Sequence, residues 1–287
     1  MSPRVTVVIA TFGWPEVLPF AISGVLEQTF ADFELLVIGD GCTNETESVV
    51  RSFEERDRRL RWINLPKNTK HQSGPNNEAI RVARGTHLAY CGHDDVWLPH
   101  HLETLVAAID RGADVAHSLA AGIGVGFPPF LCPAHPLPYD VWQWIPPLVM
   151  LQSVALLREI GGWRTPWDLV TEMPEADVNR RLAAAGATTE VVLRLTAIKI
   201  PADARPGVYV ERPSHEQSHW LEQARLRPNL EAELLAEIVT HRRIPSPPTR
   251  RDAVKAGLRA LRGPLPNTPT VNKPGWMDEM RRKKGLE

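Results

Sequence analysis

Short apolar runs and amphipathic segments follow one another in alternation between residues 5 and 110. Four short apolar runs predict strands that are covered on both faces, and they occupy Val5–Ala10, Glu34–Gly39, Arg61–Leu65 and His87–Cys91. Segments with apolar residues three and four positions apart separate these runs, and they predict helices near residues 18–29, 44–55, 76–84 and 102–109. This alternation predicts parallel βαβ units and therefore an α/β fold with an open, mostly parallel sheet and flanking helices.

The second half of the chain has a less regular pattern. Two further strands and an amphipathic helix are predicted, at Ala113–Ser118, Val191–Leu195 and residues 230–240. Residues 127–147 are dense in proline, which cannot pair inside a sheet, so we expect a long surface loop there. Trp142 and Trp144 near the end of this loop either anchor it to the core or stack on a sugar ring.

The composition excludes several classes of protein. A chain of 287 residues, 43% hydrophobic and 23% charged, is long enough for one sizeable α/β domain with an appendage. Its net charge of -1 provides no basic field for nucleic acid. The three cysteines have no metal-ligand spacing, and the chain enters a strand without a leader, so we expect a cytoplasmic protein. The longest apolar run, Ile145–Leu157, is too short and too broken to span a bilayer.

Hydroxyl and acidic residues follow three of the predicted strands. Thr11 follows the first strand, Asp40 follows the second, and Asp94 and Asp95 follow the fourth. Because ligands bind at the carboxyl ends of strands in open α/β sheets, we expect these side chains to converge. Adjacent carboxylates raise one another's pKa unless a cation relieves them, which favours a divalent metal here, although aspartates are also common in plain turns. The chain has no glycine-rich dinucleotide fingerprint and no P-loop, so a nucleotide would bind through carboxylates and a metal.

Several blocks of sequence resemble one known family. The blocks are Val7-Val-Ile-Ala-Thr-Phe12, Val25-Leu-Glu-Gln-Thr-Phe30, Asp32-Phe-Glu-Leu-Leu-Val-Ile-Gly-Asp-Gly-Cys-Thr-Asn44 and Asn77-Glu-Ala-Ile-Arg-Val-Ala-Arg-Gly85. Together with the strand before Asp94, they resemble family 2 glycosyltransferases of the GT-A fold. The resemblance is dense over residues 4–105 and returns at residues 159–182. It implies an inverting, metal-dependent transferase.

The resemblance also implies roles for the residues at the strand ends. Thr11 and Asp40 would hold the base and ribose of a nucleotide, with Asn77 contributing to the same site. The donor would be a nucleotide-sugar, with a UDP-sugar favoured.

The metal motif departs from the family pattern. That motif usually reads Asp-x-Asp, but Gly92 occupies its first position here. Asp94 is therefore the expected ligand of Mg²⁺ or Mn²⁺, with Asp95 in support, and His93 would reach the ribose or a phosphate. The cation would bridge the diphosphate of the donor.

A second block, Pro174-Glu-Ala-Asp-Val-Asn-Arg-Arg-Leu182, predicts a helix that begins with two acids. The resemblance places Glu175 at the position of the catalytic base and makes Asp177 the other candidate. Acids in a first helical turn also complement the helix dipole, which is the structural alternative for both residues.

A late histidine binds metal in some enzymes of this fold. His215 and His219 lie four positions apart and share a face if the segment is helical. We predict His215 as a further metal ligand, and two surface histidines without a ligand role are the alternative.

The domain organisation follows from the pattern and the resemblance. Residues 1–222 are predicted to form the GT-A domain, and residues 223–287 a C-terminal helix, a linker at Pro245–Pro248 and a basic tail. The basic clusters at 250–262 and 281–284 either contact anionic lipid, where a polyprenyl-linked acceptor would lie, or belong to a solvated tail packed on the core.

The predicted activity is transfer of a sugar to an acceptor hydroxyl, the acceptor being a sugar, a lipid-linked or a small molecule. Two alternatives remain. A nucleotidyltransferase on a similar sheet would need a glycine-rich first loop, which this chain lacks. A non-catalytic binding relic of the same fold is favoured by Gly92 and opposed by Asp94 and Glu175.

Overall fold

A computed structural model describes residues 2–134, 136, 137, 139, 144–169, 173–241 and 276–286. Its strands form one sheet, in the order β3-β2-β1-β4-β8-β6-β9-β5 with β7 paired to β6. The strands are β1 Val5–Thr11, β2 Phe33–Gly39, β3 Leu60–Asn64, β4 His87–Gly92, β5 Val96–Trp97, β6 Val115–Gly122, β7 Phe130–Cys132, β8 Met150–Ser153 and β9 Thr189–Lys199. The predicted open α/β sheet with flanking helices is confirmed.

The first half of the sheet is parallel, as the alternating pattern predicts. Strand β1 lies between β2 and β4, with Val5 opposite both Phe33 and His87. Residues of β1 and β2 are almost all buried, because helices cover both faces of the sheet. The register brings the carboxyl ends of β1, β2 and β4 to the same edge, so the residues that follow these strands become neighbours.

The second half of the sheet is mixed. Strand β8 pairs antiparallel with both β4 and β6, whereas β9 runs parallel to β6. Strand β8 was not predicted, since its four residues lie inside an apolar run that is broken by Pro146 and Pro147. The proline-dense loop contributes the short strand β7, which pairs only with β6 among the described strands. Trp142 in this loop lies outside the described residues.

The helices flank the sheet close to their predicted positions. They are α1 Leu18–Leu26, α2 Asn44–Glu54, α3 Ser73–Val82, α4 His101–Asp110, α5 Val154–Glu159, α6 Pro174–Ala184, α7 Val208–Glu211, α8 His215–Leu226, α9 Leu230–His241 and α10 Trp276–Lys284. Helix α3 begins three residues before the predicted start at Asn76. Thr43 is the N-cap residue of α2, but its side chain makes no capping hydrogen bond.

The C-terminal region packs at two places. Helix α9 places Leu230, Leu234 and Ile238 in a second apolar cluster with residues of β5, β6 and β9. Helix α10 lies beside α7 and the turn at residues 202–204, and the backbone N–H of Gly207 donates to the carbonyl of Lys283 at 2.8 Å. The linker at Pro245–Pro248 and the basic cluster at 250–262 lie outside the described residues. Within the described part of the chain, none of the helices has the length and apolar character needed to cross a membrane.

Candidate active site

A cleft of about 510 Å³ opens at the carboxyl edge of the parallel strands. This volume lies within the range of small-molecule sites. Residues from the ends of β1, β2, β4 and β9 line the cleft, together with residues of α3, α6 and α10. The predicted site residues among them are Thr11, Asp40, His93, Asp94, Asp95 and Glu175. The structure therefore brings the three separate acidic segments of the sequence to one cavity.

His93 is held in place by hydrogen bonds to both of its ring nitrogens. Its Nδ1 lies 3.0 Å from the Thr11 hydroxyl, and its Nε2 lies 2.8 Å from the Tyr209 hydroxyl. Trp14 packs its edge against both the His93 and Tyr209 rings. Burial lowers the pKa of His93, so the ring is neutral. His93 lines the cleft with both ring nitrogens bonded to protein hydroxyls, so its predicted contact to a ribose or phosphate requires one of these hydrogen bonds to be exchanged.

Asp40 lines the cleft directly after β2. Its Oδ1 accepts a hydrogen bond of 2.8 Å from the backbone N–H of Thr69. Burial raises the pKa of Asp40, although Thr69, Lys70 and Arg281 oppose the shift. The carboxylate is thus anchored through one oxygen while it lines the cavity.

The two adjacent aspartates are in different environments. Both oxygens of Asp95 contact the Lys199 ammonium, at 2.9 and 3.1 Å, and Oδ1 also accepts from the backbone N–H of Ile200. A Cβ atom at Gly92 would lie 2.3 Å from Asp95 Oδ2, so the glycine leaves the space that this carboxylate occupies. Because both oxygens of Asp95 bind Lys199, Asp94 is the carboxylate of the pair that is available to a ligand in the cleft.

The charges of this cluster shift several pKa values. Burial and the adjacent Asp94 raise the pKa of Asp95 to about 6, against the opposing charge of Lys199. Burial also acts to raise the pKa of Asp94, but Lys199, His93 and Lys284 outweigh it and hold the pKa below its ordinary value. The pKa of Lys199 is raised, since Asp95 and Asp94 outweigh its own burial. Asp94 is therefore an anion at neutral pH.

Glu175 lines the cleft from the first turn of helix α6. It is 4% exposed, and its Oε1 accepts a hydrogen bond of 2.8 Å from Gln72 Nε2. Its Oε2 has no hydrogen-bond partner among the described residues. Burial is the largest influence on this group and raises its pKa. One oxygen is therefore fixed by Gln72, while the other is buried without a hydrogen-bond partner among the described residues.

Asp177 does not reach the cleft, contrary to the prediction that it is a second catalytic candidate. It is fully buried and binds three guanidinium groups, of Arg164, Arg180 and Arg181. Arg181 also donates to the carbonyls of Ile160 and Gly162. Two helical positions separate Asp177 from Glu175, so the two side chains leave α6 in different directions. Asp177 is a structural ion-pair centre that fixes α6 to the preceding loop.

Asn77 is also a structural residue, and its neighbour lines the cleft instead. The Asn77 side chain exchanges two hydrogen bonds with the backbone of Trp163, at 2.8 and 2.9 Å. Gly162 accommodates this contact, because a Cβ there would lie 2.4 Å from Asn77 Oδ1. Asn76 is buried at the cleft wall, and its Nδ2 has no hydrogen-bond partner among the described residues.

The structure does not bring His215 to the cleft. Gln217 is the residue of α8 that turns inward, where its Nε2 donates to the Asp94 carbonyl at 3.2 Å. Two helical positions away, His215 points to another side and is exposed, as is His219. Neither histidine is among the residues that line the cavity, so the structure does not bring the predicted metal ligand His215 together with Asp94.

Several residues of the cleft were not predicted from the sequence. Lys199 ends a long strand, Tyr209 lies in a short helix, and Arg281 and Lys284 belong to the basic tail. The helical spacing of Arg281 and Lys284 places them on one face of α10, which is the only signal in the sequence for their common direction. Trp144 lines the cleft and is 41% exposed, which favours the stacking alternative over loop anchoring.

The donor atoms in the cleft are compatible with a divalent cation that relies largely on its substrate. The described residues contain no cluster of three or more histidine, cysteine or acidic side chains able to enclose a metal. Asp94 supplies one carboxylate, whereas Gly92 supplies none and Asp95 is bound to Lys199. Mg²⁺ commonly uses one or two carboxylates and completes its shell with phosphates and water. The site fits that mode of binding.

Comparisons with known proteins agree with this geometry. Residues 6–130 match the family model of Glycosyl transferase family 2. A GalNAc(5)-diNAcBac-PP-undecaprenol beta-1,3-glucosyltransferase of Campylobacter jejuni is 29% identical over 113 residues, which cover 38% of this chain and 36% of that protein. The chain spans between 32% and 40% of the length of the first curated relatives that it matches.

Solved structures share the fold. S. aureus TarS 1-349 in complex with UDP-GlcNAc superposes with a TM-score of 0.60 at 17% identity, covering 98% of this chain and 81% of that one. The mannosyltransferase PcManGT of Pyrobaculum calidifontis in complex with GDP-Man and Mn²⁺ gives a TM-score of 0.56 at 16% identity, covering 100% and 87%. At these identities the likeness establishes the GT-A-like fold alone. The family match and the curated relatives therefore relate residues 6–130, the part of the chain that carries Thr11, Asp40 and Asp94, to family 2 glycosyltransferases.

Proposed function

We propose that this protein transfers a sugar from a nucleotide-sugar donor to an acceptor hydroxyl with inversion at the anomeric carbon. The observation that carries the proposal is the position of Glu175. Glu175 lines the same cleft as Asp94 and Asp40, although the three residues come from distant parts of the chain, and its buried Oε2 has no hydrogen-bond partner among the described residues. A buried base that faces two further acids provides for proton removal at one end and donor binding at the other.

Thr11 and Asp40 are assigned to the nucleoside end of the donor. The anchored Asp40 carboxylate can accept hydrogen bonds from a base or ribose, and Asn76 offers a buried donor nearby on the cleft wall. A UDP-sugar is the favoured donor, supported by the UDP-GlcNAc complex of the TarS structure. Because PcManGT was solved in complex with GDP-Man, GDP-sugars are tested beside UDP-sugars.

Asp94 is assigned as the protein ligand of Mg²⁺ or Mn²⁺, and Asp95 as the residue that keeps Lys199 beside it. When bound, the cation would offset the negative charge of the departing nucleoside diphosphate. The chain itself contributes the low pKa of Asp94, which keeps this carboxylate ionised and ready for a cation at neutral pH. The Mn²⁺ in the PcManGT complex supports this assignment.

Glu175 is assigned as the base that accepts the proton of the acceptor hydroxyl. As the proton moves to Oε2, the acceptor oxygen forms a bond to the anomeric carbon and the bond from that carbon to the diphosphate breaks. The attack comes from the face opposite the leaving group, which is the reason for inversion. Gln72 holds the other carboxylate oxygen, so the reactive oxygen keeps a fixed direction.

Replacement of Gln72 by alanine should move the acidic limb of the kcat/KM profile to higher pH. The hydrogen bond from Gln72 favours the ionised form of Glu175 and so lowers its pKa. Its loss leaves burial less opposed, the pKa rises further, and a higher pH is needed to ionise the base. Initial rates of nucleoside diphosphate release between pH 5 and pH 9 would measure the limb. A limb at the wild-type position would contradict the assignment of Glu175.

The acceptor is proposed to be a sugar, lipid-linked or small molecule. The name of the Campylobacter jejuni relative includes an undecaprenol diphosphate acceptor, which supports the lipid-linked class. Membrane contact through the basic tail and a cytoplasmic location stay predictions.

The proposal is tested by a thermal-shift panel of UDP-, GDP- and dTDP-sugars, with and without Mn²⁺. A ligand present at 100 times its Kd stabilises the folded state by about 2.7 kcal/mol, so the matching donor should raise the Tm clearly. We expect a UDP-sugar to give the largest shift and Mn²⁺ to increase it. If no nucleotide-sugar shifts the Tm, the proposal is wrong. A shift without any transfer or slow donor hydrolysis would favour the binding relic that Gly92 leaves open.

A further inference from the structure

The last described helix carries basic residues on two different sides. Arg281 and Lys284 line the cleft, whereas Arg282 and Lys283 are exposed. Arg281 is only 7% exposed and donates to the Lys70 carbonyl at 2.8 Å. Arg281 also donates to the carbonyl of Leu286, at 3.4 Å, and together with Lys284 it places two cationic side chains on the wall of the cleft.

The two inward cations lie near different acids of the cleft. Arg281 acts electrostatically on Asp40, at the proposed nucleoside end. Lys284 lies within the fields of Asp94 and Glu175, the first at the proposed metal position and the second at the proposed base. Arg281 and Lys284 therefore lie among the acidic residues that line the same cleft.

Lys199, at the end of β9, does not offer the same free charge to a diphosphate. Lys199 is bound by both oxygens of Asp95, so its charge is already compensated within the protein. A diphosphate brings two or more negative charges into a cleft that also contains Asp40, Asp94 and Glu175. Positive charge from α10 offsets this repulsion and adds hydrogen-bond donors suited to phosphate oxygens.

We propose that Arg281 and Lys284 of α10 bind the diphosphate of the donor, so that a segment outside the family-matched residues 6–130 forms part of the donor site. The proposal rests on the proposed function, because it names the protein groups that hold the substrate of that reaction. Burial lowers the pKa of Lys284, while Asp94 and Glu175 oppose that shift. A bound diphosphate would add to this opposition and keep the ammonium charged.

The test compares Lys284→Met with Lys283→Met, which removes the same charge one position away on the exposed side of α10. UDP, GDP, inorganic pyrophosphate and uridine are titrated calorimetrically into each protein, with and without Mn²⁺. We expect Lys284→Met to weaken UDP and pyrophosphate binding at least tenfold, to leave uridine binding unchanged, and to be restored largely by Lys284→Arg. Lys283→Met should bind all four as the wild type does.

The outcomes separate this inference from the proposed function. If the wild type binds neither UDP nor GDP, the proposed function fails and the inference fails with it. If the wild type binds UDP and Lys284→Met binds it as tightly as Lys283→Met does, only the inference is overturned. An equal loss of UDP and uridine binding would also overturn it, since that result indicates general damage to the cleft and not lost contact with phosphate.

Discussion

Replacing Glu175 by glutamine should leave donor binding nearly unchanged and lower transfer by about 10²–10⁴-fold. Glutamine keeps the size of the side chain and can still pair with Gln72, but it cannot accept the proton of the acceptor hydroxyl. Because Glu175 is almost fully buried, we expect no base from solvent to take its place in the variant. Calorimetry with UDP and initial rates of transfer would measure the two effects separately.

A matched control for this variant is Glu159→Gln, which changes the same functional group at an exposed position outside the cleft. Its rate should equal that of the wild type. The pH profile adds a second criterion. Because burial raises the pKa of Glu175, the wild-type rate should fall on acidification at a pH above the ordinary range of glutamate, and the residual rate of Glu175→Gln should lack that limb. Normal turnover by the variant would remove Glu175 from the mechanism.

Replacing Asp94 by asparagine should abolish Mn²⁺-dependent binding of UDP and lower the rate on the order of 10²–10³-fold. Asp94 is the carboxylate of the adjacent pair that Lys199 does not occupy, so its charge is the one available to a cation. An amide keeps the shape but loses the negative charge. Titration of UDP with Mn²⁺ and with EDTA, for wild type and variant, would measure the coupling of cation and nucleotide.

Asp32→Asn is a suitable control for the Asp94 variant, since Asp32 is exposed directly before β2 and does not line the cleft. It should retain the full effect of Mn²⁺. If Asp94→Asn binds UDP with the same affinity and the same response to Mn²⁺ as the wild type, Asp94 is not the metal ligand. Loss of UDP binding in EDTA as well as in Mn²⁺ would instead assign Asp94 a direct role in nucleotide recognition.

The parallel half of the fold was predictable because its signal is local. Residues of β1 are almost all buried between two layers of helices, so the run Val5–Ala10 is apolar except for Thr6, and the helices between strands carry one apolar face. Strand β8 was not predictable in this way. Its four residues are specified by pairing with β4 and β6, which are distant in sequence, and Pro146 and Pro147 obscure the pattern.

The same distinction applies to the individual residues of the site. Thr11, Asp40 and Asp94 were placed by the rule that ligands bind at strand ends, and the cleft contains all three. Asn77 and Asp177 were assigned from a motif register, but side-chain direction on a helix changes by about 100° per residue. Asn76 and Glu175 therefore face the cleft, while Asn77 and Asp177 bind the backbone or arginines.

The amino-acid sequence by itself determined the order of strands and helices in the first half of the protein and the place where its acids would meet. That information is carried by periodicity and by residues next to strand ends. The tertiary structure alone decided which acid remains available, since Lys199 binds Asp95 across 104 positions of sequence. It also decided that Arg281 and Lys284 enter the cleft, because a contact between distant segments depends on packing that no local pattern encodes.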